Sequence, residues 1–351
     1  MKGLFMTQPT TLRMSAPGEF IAAVPALLGF YPVDSLVVAL LERRPPADEV
    51  CIKVVARHDL HISDNRLTAV ATQLAAVAAN ENASAVLVLV VDSTAQPASA
   101  PPGRHTHTLE VLDRALTTRG VVLASAWATR VIAAGAPWWS LLDATESGVV
   151  PDPDTTTLAA TFVVAGHPIR RSREELTRLI EPDPALADQV RSLLPADTGI
   201  RTQHAPSEIT ATVATVVERI DTLAAGSTLT PADMAALAAA LRTATVRHCL
   251  LGLAGTARVD AAERLWALLT RSLPDPERAH AAALLAFSAY HRGDGALASI
   301  ALDAALDSDP QHRFARSLDT TLRDGTPPSR LGAVVTYAHD IADALGIDLH
   351  R

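Results

Sequence analysis

The chain has 351 residues, 48% hydrophobic and 19% charged, with a formal net charge of −8 and a pI near 5.8. That apolar share excludes a disordered chain, and the length suggests two domains. The acidic balance excludes a typical nucleic-acid binder, whose affinity comes from a basic face that neutralises phosphates.

Aromatic residues make up only 4%, and alanine supplies much of the apolar content. Alanine is the best helix former and buries little area, so many closely packed helices are expected. Cys51 and Cys249 lie in no metal-binding spacing and read as buried thiols. Residues 1–8 lack the apolar core of a signal peptide. The apolar runs at 21–33 and 131–142 are shorter than the ~18 residues a spanning helix needs. The expected location is the cytoplasm, with no membrane contact.

Residues 1–15 are polar and are expected to fray. Pro17 to Leu28 has helical spacing, with Phe20, Val24 and Leu27 on one face. Gly29-Phe30-Tyr31-Pro32-Val33-Asp34 reads as a turn. Ser35–Leu41 and Val50–Ala56 are β-type runs across a proline-containing turn, which predicts an antiparallel hairpin. Residues 64–81 form an amphipathic helix, and Ala85–Val91 is a continuous apolar strand of the kind covered on both faces. A helix at 105–118 and a strand at 121–129 follow. Trp138-Trp139-Ser140 is predicted to pair back on that strand. The order ββαβαβ plus an antiparallel edge predicts an α/β half with a mixed, mainly parallel sheet.

After Pro151 the β signal stops. Domain limits of 1–150 (α/β), 151–205 (short helices and connector) and 206–351 (all-helical) follow. Ser172-Arg173-Glu174-Glu175 is a capping box. A long helix is predicted at 206–225. Thr230-Pro231-Ala232-Asp233 starts another, with Thr as cap and Pro in the first turn. Further helices are separated by turns near 255, 274–276, 293–295, 309–310 and 325–328.

Arg278 to Pro310 fits the tetratricopeptide repeat (TPR), a pair of antiparallel helices with small and large residues at fixed offsets. With Pro310 as the terminal proline, the family positions fall on Ala282, Leu285, Ala286, Ala289, Ala298, Leu302 and Ala305. The small residues allow close helix approach. In TPR stacks the first helix of each pair lines a groove. That register assigns to the groove His280, Phe287 and Tyr290, with Arg313 and Arg316 at its edge. Phe287 and Tyr290 belong to a set of only nine Phe and Tyr residues (6 Phe, 3 Tyr), so an interaction stripe of aromatics beside arginines is expected there.

Two further segments carry a family resemblance. One is Val24-Pro25-Ala26-Leu27-Leu28-Gly29-Phe30-Tyr31-Pro32-Val33-Asp34-Ser35-Leu36-Val37-Val38. The other is Tyr290-His291-Arg292-Gly293-Asp294-Gly295-Ala296-Leu297-Ala298, continuing to Asp309-Pro310 and Gly325-Thr326-Pro327-Pro328. Together with Trp138-Trp139, they make the chain resemble the actinobacterial family catalogued as domain of unknown function 4192. The resemblance spans nearly the whole chain, and Ala26 departs from the aromatic that members often carry. It implies no catalytic residues.

The candidate loop site is Phe30, Pro32, Asp34 and Ser35, a helix-to-strand turn with an adjacent carboxylate and hydroxyl. Its structural reading is that Gly29 ends the helix, Pro32 fixes the turn and Asp34 accepts local backbone N–H bonds. Trp138 and Trp139 point to opposite faces of a strand, so one packs in the core and the other either covers the edge or meets a partner. No metal or cofactor is expected: the histidines at 58, 61, 105 and 107 lack a completing carboxylate or cysteine at ligand spacing. No GxSxG, P-loop or GxGxxG motif is present. The favoured reading is a non-catalytic protein-interaction or regulatory factor using a helical groove, with a protein partner. One alternative is an enzyme or small-ligand sensor near Asp34-Ser35 at the sheet edge. The other is a structural subunit of a homo-oligomer.

Overall fold

Seven strands form one sheet in the order β1-β3-β2-β4-β5-β6-β7: β1 (Gly3–Thr10), β2 (Ser35–Arg44), β3 (Glu49–Asp59), β4 (Ala85–Val91), β5 (Val122–Thr129), β6 (Pro137–Ser140) and β7 (Ser147–Val149). This computed structural model describes residues 3–10, 16–44, 49–95, 105–164, 169–195 and 205–349. β2 and β3 make the expected hairpin, with Ser35 opposite Asp59. The residues of β2 from Leu36 to Leu40 and of β4 from Val88 to Val91 are buried, so both faces of the sheet centre are covered. That double coverage explains why these strands read as unbroken apolar runs.

Two expectations are corrected. The sheet is mixed, but its only parallel pair among the described residues is β4–β5; the other pairings are antiparallel. The reason is interleaving. The crossovers β1–α1–β2 and β3–α2–β4 each skip one strand, so β2 runs backwards between β3 and β4. A strand–helix–strand sequence fixes direction, not adjacency. The second correction is β1, which occupies part of the stretch expected to fray. It is an edge strand needing one partner, and its register shifts between Met6 and Thr10, the stretch that carries Pro9.

The helices α1 (Pro17–Leu28), α2 (Asp64–Asn80) and α3 (Thr106–Thr117) complete this half. Right-handed crossovers put α1 on one face of the sheet and α2 and α3 on the other. The Phe20 ring of α1 lies 5.8 Å from that of Trp127 on β5, and α2 packs on α3. Gly29, with φ 77°, ends α1 in the left-handed conformation, as expected.

The remaining helices are α4 (Thr157–Val164), α5 (Arg173–Arg178), α6 (Pro184–Leu193), α7 (Pro206–Ala224), α8 (Pro231–Leu241), α9 (Ala244–Leu251), α10 (Val259–Ser272), α11 (Arg278–His291), α12 (Gly295–Ser308), α13 (Arg313–Arg323) and α14 (Gly332–Ala344). Thr230 and Asp233 cap α8 reciprocally, the Thr hydroxyl accepting from the Asp233 N–H and the Asp carboxylate from the Thr230 N–H. Among the described residues no helix is long and apolar enough to cross a membrane.

The chain divides into two compact units. One comprises Met1–Glu175, Gly293–Ala296 and Leu322–Thr326; the other comprises Leu176–Arg292, Leu297–Thr321 and Pro327–Arg351. In the helical unit α11 is buried nearly all round, from Ala281 to Tyr290 without interruption. Phe287 is 1% exposed and Tyr290 0%. The Phe287 ring packs 6.0 Å from that of Phe314, and the Tyr290 hydroxyl donates to the Thr321 carbonyl at 3.2 Å. The expected aromatic groove stripe is therefore corrected: both rings are core. The periodic reading gave α11 an open face, and a helix enclosed on all sides has none.

Candidate functional site

Strand register brings the polar residues of unit one to a single edge of the sheet. Ser35 pairs with Asp59 on one side and Val91 on the other, and Val91 pairs with Thr129. The carboxyl ends of β3, β4 and β5 and the start of β2 therefore lie side by side. Ligands of open α/β sheets bind outside such carboxyl ends.

Asp34 is the centre of this edge. It is one of two non-glycine residues with positive φ among the described residues, at 43°. Its Oδ1 accepts from the Ser93 N–H at 3.0 Å and from the Ser93 hydroxyl at 2.8 Å, tying the start of β2 to the end of β4. Its own carbonyl accepts from Leu60 N–H at 2.9 Å. The Ser93 N–H, then the Ser93 hydroxyl, hold the Asp34 carboxyl below the usual range. The expected local turn bonds are thus replaced by a long-range clamp. Arg130, at the end of β5 and exposed, donates to the Ser93 carbonyl at 3.3 Å.

Ser35 is buried and engaged. Its hydroxyl donates to the Val33 carbonyl at 2.6 Å and accepts from Arg57 Nε at 2.8 Å. Arg57 also bonds Asp59. Both hydroxyl bonds of Ser35 are therefore taken, one to a carbonyl acceptor and one from a guanidinium donor. Phe30 and Pro32 are buried and serve packing. The Phe30 segment pairs with Arg170, the Tyr31 N–H donating to the Arg170 carbonyl at 3.0 Å. Tyr31 donates to Asp154 at 2.8 Å, and burial together with that acceptor pushes its hydroxyl up to about 12.

Asp92, Ser93, Arg57 and Arg130 are members of this edge that sequence reasoning did not single out, and His105, weighed there only as a metal ligand, joins them. Asp92 is 0% exposed; its Oδ1 accepts from the Thr94 N–H and hydroxyl at 2.9 and 2.7 Å. His105 Nε2 stands 3.3 Å from Asp92 Oδ2, at ion-pair distance. The amino ends of α2 and α3 open here too, at N-caps Ser63 and His105, and neither side chain makes a capping bond. The available signal was that three apolar runs end in polar clusters: Arg57-His58-Asp59, Asp92-Ser93-Thr94 and Thr129-Arg130. Buried His58 faces away from this cluster in the strand alternation; burial, then Arg57, pushes its imidazole down to about 4.

The other candidates lie elsewhere. Trp138 and Trp139 sit in β6 and are 6% and 8% exposed. Trp138 Nε1 donates to the Val149 carbonyl at 3.2 Å, and its ring lies where a side chain on Gly148 would stand. Both rings are largely buried within this unit. His280 hydrogen-bonds His312 through ring nitrogens 2.9 Å apart, and Arg313 and Arg316 are exposed on α13. Among the described residues no group of three or more His, Cys, Asp or Glu is placed to hold a metal ion.

No curated protein and no solved structure matches the chain. The family model described as Domain of unknown function (DUF4192) matches residues 17–329. That span includes the sheet from β2 to β7, the Asp34 edge and the helices up to α13. The chain belongs to this domain-of-unknown-function family.

Proposed function

We propose that the protein is a regulatory factor whose α/β unit senses a small polar ligand at the carboxyl edge of β3, β4 and β5. The carrying observation is Asp34, a non-glycine residue held at φ 43° by Ser93 at the point where these strand ends meet. Such strained residues cluster at functional sites. The amino ends of α2 and α3 favour an anionic group on the ligand, and Arg130 is an exposed cation at the end of β5. The engagement of the buried Ser35 hydroxyl with Val33 and Arg57 favours binding over catalysis.

The test is thermal shift against a panel of nucleotides, sugar phosphates and small carboxylates. At least one is expected to raise the melting temperature of the wild type but not of Arg130→Ala with Asp34→Asn. If no compound stabilises the wild type, or the variant responds equally, the sensor reading fails.

We also read α11 and α12 as a TPR-like pair within a protein-interaction half. The support is that Ala286, Ala298 and Ala305, the small positions of the pattern, are all buried, and that Gly293 turns the chain between the helices at φ 93°.

A further inference from the structure

Positive charge exceeds negative charge in one corner of the helical unit. His312 stands just before α13, and its Nδ1 accepts from the Ala315 N–H at 3.1 Å. That bond leaves the proton on Nε2, which donates to His280 Nδ1 at 2.9 Å. Both imidazoles are therefore neutral, and burial holds His280 down to about 3 and His312 below its ordinary value. The pair fixes the start of α13 against α11.

Around this clamp stand three arginines that make no carboxylate contact among the described residues. Arg247, on α9, is partly buried and acts on both histidines; it donates to the Leu241 and Arg242 carbonyls. Arg313 and Arg316 are exposed in the first turns of α13, where Arg316 reaches only the Gln311 side chain at 3.3 Å. Two carboxylates stand nearby, and Asp309 acts on His312 against Arg247. Glu277 binds Arg242 at 2.6 Å, and Asp309 accepts the Gln311 N–H at 2.9 Å.

A helix N-terminus is itself positive, and cations are unfavourable there. The first turn of α13 carries no acidic residue. The arrangement therefore favours an anion at this helix start. Arginine forks match carboxylates in bidentate fashion.

We propose that this corner docks an acidic segment of a protein partner, its carboxylates meeting Arg313 and Arg316 across the start of α13, with Arg247 behind them. This surface is independent of the Asp34 edge, so either reading can fail without the other.

The test uses the full chain and a fluorescent hexaglutamate peptide, read by anisotropy at low salt, with hexaglutamine as the neutral probe. The wild type should bind hexaglutamate and not hexaglutamine. Arg313→Ala with Arg316→Ala should weaken binding by roughly tenfold, the effect of losing two exposed ion pairs, at unchanged melting temperature. Arg114→Ala, an exposed arginine of α3, should leave it unchanged. The proposal is overturned if hexaglutamate does not bind or hexaglutamine binds equally. Full affinity in the double variant overturns it too, as does an equal loss with Arg114→Ala. Binding of inorganic phosphate without the peptide would mark a small-anion site and overturn the partner.

Discussion

The α/β unit packs large β-branched and leucine side chains between two helical layers, whereas the helical unit packs alanines around a few large rings. Val37, Val54, Val88 and Leu89 fill the first core; Ala279, Ala282, Ala286, Ala298 and Ala305 fill the second, around Trp266, Phe287 and Tyr290. The difference decides where function can be exposed. A sheet sandwiched on both faces leaves its strand ends as the place for polar groups, and those ends hold Asp34, Arg57, Asp92 and Arg130. An alanine-rich helix approaches its neighbours so closely that its few aromatics are swallowed, so exposed chemistry falls to the arginines of α13.

The largest expected effect tests the second core. Trp266→Ala or Tyr290→Ala should cost about 3–5 kcal/mol, measured by chemical denaturation, because each ring is buried and leaves a cavity. A loss below about 1 kcal/mol would mean that these rings are not core and would revive the aromatic groove.

Next comes pH, where both units should behave alike. His58 is held down to about 4 and His280 to about 3, each by burial first. A histidine whose folded pKa lies below its unfolded value of ~6.5 leaves stability intact above ~6.5 and erodes it as pH falls toward the folded value. Stability should therefore drop between about pH 6.5 and 4, by on the order of 3 kcal/mol for His58 alone. His58→Leu should flatten part of that slope; an unchanged slope would contradict the buried neutral imidazole.

A smaller effect tests how tightly the second core is packed. Ala286→Leu should cost about 1–3 kcal/mol by overpacking, while Ala333→Leu on the exposed side of α14 should be near neutral. Equal tolerance at both positions would show that the alanine core is loosely packed.

The smallest effect concerns the edge. Asp34→Ala should cost about 1–2 kcal/mol, from two lost bonds to Ser93 and a left-handed backbone that alanine dislikes. Asp34→Asn, which tolerates that backbone, should cost less. If both melt like wild type, Ser93 does not clamp the start of β2.

Much of the fold was legible in the amino-acid order because the patterns are local. Continuous apolar runs announced β2, β4 and β5. Gly29 announced the end of α1, and the Thr230–Asp233 box announced α8. The candidate site was legible in one residue, Asp34. Its partners Ser93, Arg57, Asp92 and Arg130 are distant in sequence, and nothing local says that three strands end at the same edge.

The sequence by itself determined the alternation of strands and helices, the helical second half and the family, since these rest on periodicity, capping residues and motifs read within a few tens of residues. Tertiary structure alone decided that β2 runs between β3 and β4, that Pro-containing β1 is an edge strand, and that Asp34 is clamped by Ser93. It also decided that Phe287, Tyr290, Trp138 and Trp139 are interior. Each of these depends on which distant segment lies alongside, and burial on all sides is a property of neighbours that no helix or strand pattern encodes.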